Sequence, residues 1–537
     1  MSIQNVRYVL WGMFFFLLFI LFNTWENDKV LTDKLILNDK SDYSNISDLS
    51  NESKNNTIYN KKNELFIDTK LINAKIDLYG GDITHLSLKK HNDVKEDLNE
   101  GVTVFNKYNN KFYFPQSGFF NEHKYNITDI KQAVYLSKTI NHNIKYDGSN
   151  LLVSLEYYIN NDISVNKIYT FRNYSYEIDI DFYVYNNGKN IYSGRMYGLM
   201  EQKNNVTNNG IFGSSMKTYE GGALYTDFNS YKKMSFNDIT DKNNLYVING
   251  GWFAFLEHYF LSIWMPDFSH NYVYTVEKEI NDKYVLKYVS KDDVVIFPGE
   301  CKCIDSRLFV GPKVKYFLNK LYKGLDLTID YGIFWPISGS IFLLLDKVFI
   351  FVKNWGISII LITLIIKLLF FHLSSISYMS VGNIKKLQPR LTILKERYKD
   401  NKKQFGESMI DLYKKEKINP LSGCFPVLFQ IPVFISLYYV LLESVELKHA
   451  EFFFWICDLS NKDMYYILPI VMCLTTFIQQ KFNPPVQDPM QAKIMMFMPI
   501  ILLLVFLQFP SGLILYWIIN NILSICQQWV IIKKVNV

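Results

Sequence analysis

The apolar run 355–371 (WGISIILITLIIKLLFF) is long enough to cross a bilayer, yet it carries a hydroxyl at Thr363 and a cation at Lys367. Four residues apart, the two share one face of a helix. Lys367 lies roughly 18 Å inward from Trp355 at about 1.5 Å per residue, past the middle of a ~30 Å hydrocarbon layer. A charge at that depth costs on the order of 2.5–3.5 kcal/mol on insertion scales, so it faces a partner, a watery cavity or, by snorkelling, the near interface. Other polar side chains recur in the apolar runs downstream: Gln430, Thr475 and Thr476, Ser511, Tyr516, Asn520 and Asn521. Scattered residues of these types commonly serve as interhelical hydrogen-bond glue worth about a kcal/mol or less each. Lys367 differs, because no acidic residue stands inside any other expected span to pair with it. A polar cavity open to the cytosol would stabilise the charge and attract an acidic segment of another polypeptide.

The elements that must position these residues are unevenly spread over the 537-residue chain. Residues 40–330 are rich in Asn, Lys, Asp and Tyr, whereas 333–532 are dominated by Ile, Leu, Phe, Met and Val. The near-zero mean hydropathy is therefore the average of a soluble domain and a membrane domain. A net charge of +6 is mild for this length, and the soluble half has no basic helix interleaved with aromatics, which argues against nucleic-acid binding. Of six cysteines, Cys424, Cys457, Cys473 and Cys526 lie in or beside apolar runs. Cys301 and Cys303 are too close for an ordinary structural bridge, and no second pair supplies zinc-site spacing. Neither a disulfide framework, a metal site nor a cofactor is expected.

At the start, Arg7 precedes an apolar run (8–22) and a polar segment (23–29) without the small residues of a cleavage site. This predicts an uncleaved signal-anchor helix over 1–25, its start in the cytosol and Trp11 and Trp25 near the two interfaces. Residues 26–62 form an Asn- and Ser-dense flexible linker. From 63 to 330 the signal is β-strand. In 176–184 (YEIDIDFYV), Ile178, Ile180, Phe182 and Val184 alternate with Glu177, Asp179 and Asp181. Residues 74–78 do the same before a Gly80-Gly81-Asp82 turn, and 151–159 and 283–297 read as further strands. The expectation is a large antiparallel β-sandwich closed by a short helix, 314–321. It holds His85, His123, His258 and many acids and tyrosines, but no paired carboxylates or Ser/His/Asp arrangement stands above background, and nothing marks an enzyme.

Residues 333–353 place Gly339, Asp346 and Lys353 on one stripe beside Lys347, which suits an amphipathic helix lying along the outer interface. The span 355–373 then crosses inward. Between 376 and 420 there are eleven Lys/Arg against five Asp/Glu, which puts this segment in the cytosol. Within it, Leu387, Leu391, Leu394 and Tyr398, then Phe405, Met409 and Leu412, recur at helical spacing, predicting a helical hairpin over 380–418. Spans over 424–442, 466–479, 495–509 and 513–530 follow, the first carrying Gln430 between Pro426 and Pro432 and the last two joined by Pro510-Ser511-Gly512. The loop 443–463 has five acids against two lysines, as an external loop should. The whole is a multi-pass α-helical membrane protein of six transmembrane helices, with both termini cytosolic and the β domain outside. Spans 466–479 and 495–509 reach only about 21–22 Å, short enough to thin the bilayer. These residues alone leave open a second reading, a periplasmic ligand-binding receptor or transporter component.

The stretches 354–359 (NWGISI), 419–426 (NPLSGCFP), Tyr438-Tyr439 followed by 444–447 (SVEL), 488–490 (DPM) and 509–513 (FPSGL) closely resemble the YidC/Oxa/Alb family of membrane protein insertases. Gly80-Gly81-Asp82 and 250–260 (GGWFAFLEHYF) resemble the large periplasmic domain of its Gram-negative members, so the likeness runs nearly end to end. It implies a five-helix core over 354–537 around a hydrophilic groove open to the cytosol and lipid, guarded by the hairpin. The family's groove cation falls on Lys367, its neighbouring hydroxyl on Thr363, and its substrate-contacting aromatic positions on Tyr516 and Trp517. Gln430, Thr475 and Ser511 complete the expected lining. The resemblance further implies a bacterial inner-membrane protein that inserts and folds nascent membrane proteins without hydrolysing a nucleotide. It would act alone or beside the Sec translocon, with membrane lipids, the ribosome and the signal recognition particle pathway as further partners. Lys367 stands where Gram-negative members usually have arginine, Trp517 where tyrosine is common, and the C-terminal tail is short, with only Lys533 and Lys534.

Overall fold

The computed structural model describes residues 64–91, 101–108, 112–120, 134–137, 143–145, 150–172, 174–203, 219–226, 231–236, 239, 244–267, 269–279, 282–398, 401–416, 425–482 and 489–536. The expected anchor (1–25) and linker (26–62) lie outside them, as does the NPLSGC part of the motif at 419–426. Two units meet in the chain between Pro312 and Lys313.

Among the described residues, the first unit is a β-sandwich of an eleven-stranded and a nine-stranded sheet. The alternation read in the sequence is the burial pattern: in Glu177–Asn186, Ile178, Ile180, Phe182 and Val184 are buried and the acids lie on the opposite face. This strand pairs antiparallel with Ile163–Phe171 and Cys301–Pro312. The expected single strand 283–297 is two, Lys283–Ser290 and Val294–Ile296. Both pair with Tyr192–Lys203, and in the break between them Asp293 accepts from Arg195 Nε at 2.7 Å.

Tyrosine abundance has a structural cause. Between the sheets each ring supplies apolar bulk while its hydroxyl must find an acceptor. Tyr157 OH donates to Phe119 O at 3.1 Å, Tyr169 OH to Gly81 O at 2.7 Å, and Tyr274 OH to Gly250 O at 3.0 Å. Lys167 crosses the same gap, fully buried, its Nζ donating to Asp82 Oδ1 and Ser117 O, each at 3.0 Å, among the rings of Tyr135, Tyr169 and Phe182. Burial pulls the Lys167 pKa down while the Asp82 carboxylate pulls it back. The Gly-Gly-Asp turn delivers that carboxylate: Gly81 has φ 63°, and a Cβ there would meet the Tyr135 ring at 2.8 Å.

The second unit is helical. A short α1 (Lys315–Leu321) and a 3₁₀ turn (Leu325–Thr328) lead to α2 (Trp335–Val352), which packs on α3 (Trp355–Leu369) and on α7 (Phe425–Glu443). Helix α2 is as long and apolar as a membrane span, so length and composition do not separate lying along the interface from crossing. The Asn-Trp-Gly motif at 354–356 acts locally. Asn354 Oδ1 caps α3 by accepting from Ile357 N at 3.0 Å, and Trp355 stacks on Phe349 with centroids 4.0 Å apart. A Cβ at Gly356 would fall 2.0 Å from the Phe452 ring.

One expectation needs correcting. The run 355–373 does not continue straight: α3 ends at Leu369, and α4 (Phe371–Lys386) leaves at 68°. The apolar character also ends there, in 372–375 (HLSS), and Gln527 Nε2 donates to Phe371 O at 3.1 Å across the bend. The hairpin follows as α5 (Gln388–Arg397) and α6 (Lys402–Lys415), the latter capped by Asn401 and the pair tied by Arg390 and Glu416. The remaining helices are α8 (Ile467–Lys481), α9 (Pro489–Phe506) and α10 (Ser511–Asn536). Helix α8, with 15 residues, is about 22 Å long against a ~30 Å hydrocarbon layer. Only α2, α10 and the bent pair α3–α4 meet the length and hydropathy of a full span among the described residues.

Two outcomes follow for the β unit. Lys167→Met leaves the Asp82 carboxylate without its buried cation and is expected to cost about 3–5 kcal/mol in denaturant unfolding. Half-buried Asp181 is pushed from 3.8 up to about 6, first by burial and then by Asp305 and Asp179. The fold thus disfavours its ionised form, a penalty absent below pH ~4 and complete above pH ~6. Asp181→Asn is expected to stabilise the unit at neutral pH by on the order of 1 kcal/mol after solvent screening, and to do nothing near pH ~4, as unfolding at the two pH values would read.

Candidate functional site

Helix α10 packs against α3, α4, α7 and α8, and the polar residues along it meet a polar group or backbone carbonyl on each. Tyr516, Asn520 and Ser524 are four apart and so form one line along its surface, about 12 Å long at 1.5 Å per residue. At one end Lys367 Nζ, half-buried, donates to Ser524 Oγ at 2.8 Å, and Ser524 Oγ donates to Asn520 O at 2.7 Å. At the other end Gln430 Nε2 of α7 donates to the buried Tyr516 hydroxyl. Among the described residues no carboxylate forms an ion pair with Lys367. Its partner Ser524 was not expected from sequence, although it continues the spacing of Tyr516 and Asn520.

The other expected residues are placed differently. Thr363 is buried one turn before Lys367, but its hydroxyl donates to Ile359 O of its own helix at 2.7 Å. Thr475 lies on a different face: Asn521 Nδ2 donates to Thr475 Oγ1 at 3.2 Å and to Thr476 Oγ1 at 3.0 Å, tying α8 to α10. Ser511 does not join the line. Both its N–H and its hydroxyl donate to Asn461 O at 2.7 Å, which pins the start of α10 to the loop between α7 and α8, roughly 20 Å along the helix from Ser524. Trp517 presses its ring on Phe434 and Phe506, with centroids 5.0 and 5.3 Å away.

Two buried polar atoms beside this line have no hydrogen-bond partner, the Trp517 indole nitrogen and Asn520 Oδ1. Buried polar atoms are rarely left so. The structure therefore brings together Lys367, Ser524, Asn520, Tyr516, Gln430 and Trp517, leaves Thr363 self-bonded beside them, and separates Thr475 and Ser511.

In the β unit, Ser269, His270 and Asp267 lie together, but Ser269 Oγ and Asp267 Oδ2 both face the same ring nitrogen, Nδ1, at 2.8 and 3.0 Å. A relay through imidazole needs the two on opposite nitrogens. This is a turn, not a triad.

Comparison with known proteins bears on both units. Residues 64–344 match the family described as the YidC periplasmic domain, and residues 347–537 match the 60Kd inner membrane protein family. A membrane protein insertase YidC of Vesicomyosocius okutanii is 39% identical, the match spanning 99% of this chain and all of that one. Its counterpart in Pseudomonas putida is also 39% identical, over 88% of this chain and 84% of that protein. A solved structure of an active YidC insertase with its first transmembrane domain resolved aligns over 87% of this chain and 92% of that one, at 18% identity and a TM-score of 0.39. The two family matches, which together take in nearly all of the described residues, and the end-to-end identity place the chain in the YidC family of membrane protein insertases.

Proposed function

We propose that the polar line on α10 is the site where this inner-membrane insertase receives the polar flank of a nascent membrane protein. The observation that carries the reading is the state of Lys367. An ammonium has three donors and a full charge, and here one donor meets a neutral hydroxyl. Its remaining donors and its charge suit an acidic or carbonyl-rich segment entering from outside the protein. Trp517 and Asn520 offer a further donor and acceptor along the same line. The short α8 supports the second half of the mechanism, since a thinned bilayer shortens the path over which a polar flank must be dehydrated. No covalent step is assigned to any residue.

The topology proposed is six spans with both termini cytosolic, the first over 1–25, and α2 lying along the outer interface with Asp346, Lys347 and Lys353 at its wet side. The excess of basic residues in 376–420 supports placing the hairpin in the cytosol. There its basic face would meet anionic lipid, the ribosome or components of the signal recognition particle pathway, and the bundle would work alone or beside the Sec translocon.

Lys367→Arg is expected to keep activity, because the charge persists and gains donors. Lys367→Glu is expected to slow insertion of substrates with acidic external tails about tenfold, the change that ~1.4 kcal/mol produces, while sparing substrates with neutral tails. In vitro insertion of the two substrate classes reads both, and equal rates for both variants would remove the charge from the mechanism. A photoreactive residue at Trp517 is expected to capture a nascent single-span protein, and adducts with lipid alone would overturn the assignment.

A further inference from the structure

The segment 444–466, which joins α7 to α8, is folded inside out for a loop in water. Of its four acids, which mark it as external in the sequence, Asp458 and Asp463 are turned inward while Glu451 is exposed. Asp463 is 5% exposed and accepts from Tyr465 N at 3.1 Å and from Leu468 N at 2.7 Å, holding the start of α8. Asp458 accepts from Ser460 N at 2.8 Å, from Ser460 Oγ at 2.7 Å and from Asn461 Nδ2 at 2.9 Å, and it pairs with His449 at 3.3 Å. Glu443, the last residue of α7, is buried 3.9 Å from Lys313.

The largest exposed side chains are apolar or aromatic. Phe454 is 94% exposed and Met464 82%, with Phe453, Tyr465 and Tyr466 exposed beside them. Phe454 and Tyr466 hold φ at 61° and 57°, the left-handed region that side-chain-bearing residues avoid. At Phe454 this strain packs nothing against the rest of the chain. It turns the ring away from the protein.

We propose that the outward face of this loop is seated in the outer leaflet, with Phe454 and Met464 among acyl chains and Tyr465 and Tyr466 at headgroup level. Exposed apolar clusters of this kind mark a membrane or partner surface, and here continuity favours lipid. The exposed residues run without interruption from Met464, Tyr465 and Tyr466 into Ile467, Ile470, Leu474 and Phe477 of α8, an apolar helix. Because α8 is short, the leaflet has to dip to meet it, and the loop's aromatics lie where that dip begins. Exposed Asn461 and Lys462 form the polar rim. The proposal rests on the topology given above.

The test uses the full chain in vesicles of phosphatidylethanolamine and phosphatidylglycerol, with benzoylphenylalanine placed at Phe454, Met464 or Asn461. After irradiation, mass spectrometry is expected to find lipid adducts several-fold more abundant at Phe454 and Met464 than at Asn461. Equal yields at all three positions would overturn the proposal, as would a protein cross-link dominating at Phe454 and Met464 in native membranes. A separate Asn461→Cys variant, with the native cysteines replaced by serine, reports sidedness through a membrane-impermeant maleimide. Labelling from the β-domain side without lipid adducts overturns the seating of the loop alone. Labelling only from the cytosolic side overturns the topology.

Discussion

A polar group carried into a helix bundle within the membrane must be satisfied by the bundle or by whatever enters it, because the hydrocarbon offers nothing. In this chain that constraint falls on α10. Tyr516 meets Gln430 of α7, Asn521 meets Thr475 and Thr476 of α8, Ser524 meets Lys367 of α3, and Gln527 meets the Phe371 carbonyl of α4. Each bond is modest alone, but together they fix the rotation of α10 against four neighbours, since turning it would strand several polar groups at once. Lys367 is the least satisfied member of this network, and the others hold it where it is.

The β unit meets a related constraint differently. Into a core of Leu, Ile, Val and Phe it sets tyrosines and Lys167, residues that carry polar tips into the gap between sheets. The hydroxyls of Tyr157, Tyr169 and Tyr274 reach backbone carbonyls outside their own strands, and Lys167 reaches Asp82 and Ser117. Such contacts require a particular register: a strand shifted by one residue would turn these tips outward and leave Asp82 without its cation. The sandwich is thus specified by polar bonds laid over an apolar core.

Short motifs that look like isolated signatures act between distant segments. Asn354-Trp355-Gly356 caps α3, stacks Trp355 on α2 and leaves room for Phe452 from the loop 444–466. Ser511 and Gly512 hand their N–H groups to the carbonyls of Asn461 and Leu459 in that same loop. The loop is therefore gripped from α3 and from α10, with Asp458 and Asp463 committed to its own backbone, its histidine and the start of α8, while Phe453, Phe454, Tyr465 and Tyr466 face outward.

Sequence alone determined the division into a strand-rich and a membrane unit, the alternation of 176–184, the bounds of α1, α2, α7 and α8 to within two residues and the misfit of Lys367, because each depends on periodicity or composition within a few turns of chain. Tertiary structure decided what those residues touch. The bend after Leu369 is invisible in a run whose apolar residues continue through Phe371, and Ser524 becomes the partner of Lys367 only once two helices 157 residues apart are side by side. Ser511 and Thr475 read as equivalent to Tyr516 by residue type, yet Ser511 lies at the far start of α10 and Thr475, on α8, meets another face of it through Asn521. Glu443, Asp458 and Asp463 count as external charges in the sequence but fold inward. Residue type states what a side chain needs, whereas the partner that meets the need is set by which faces of distant segments come together.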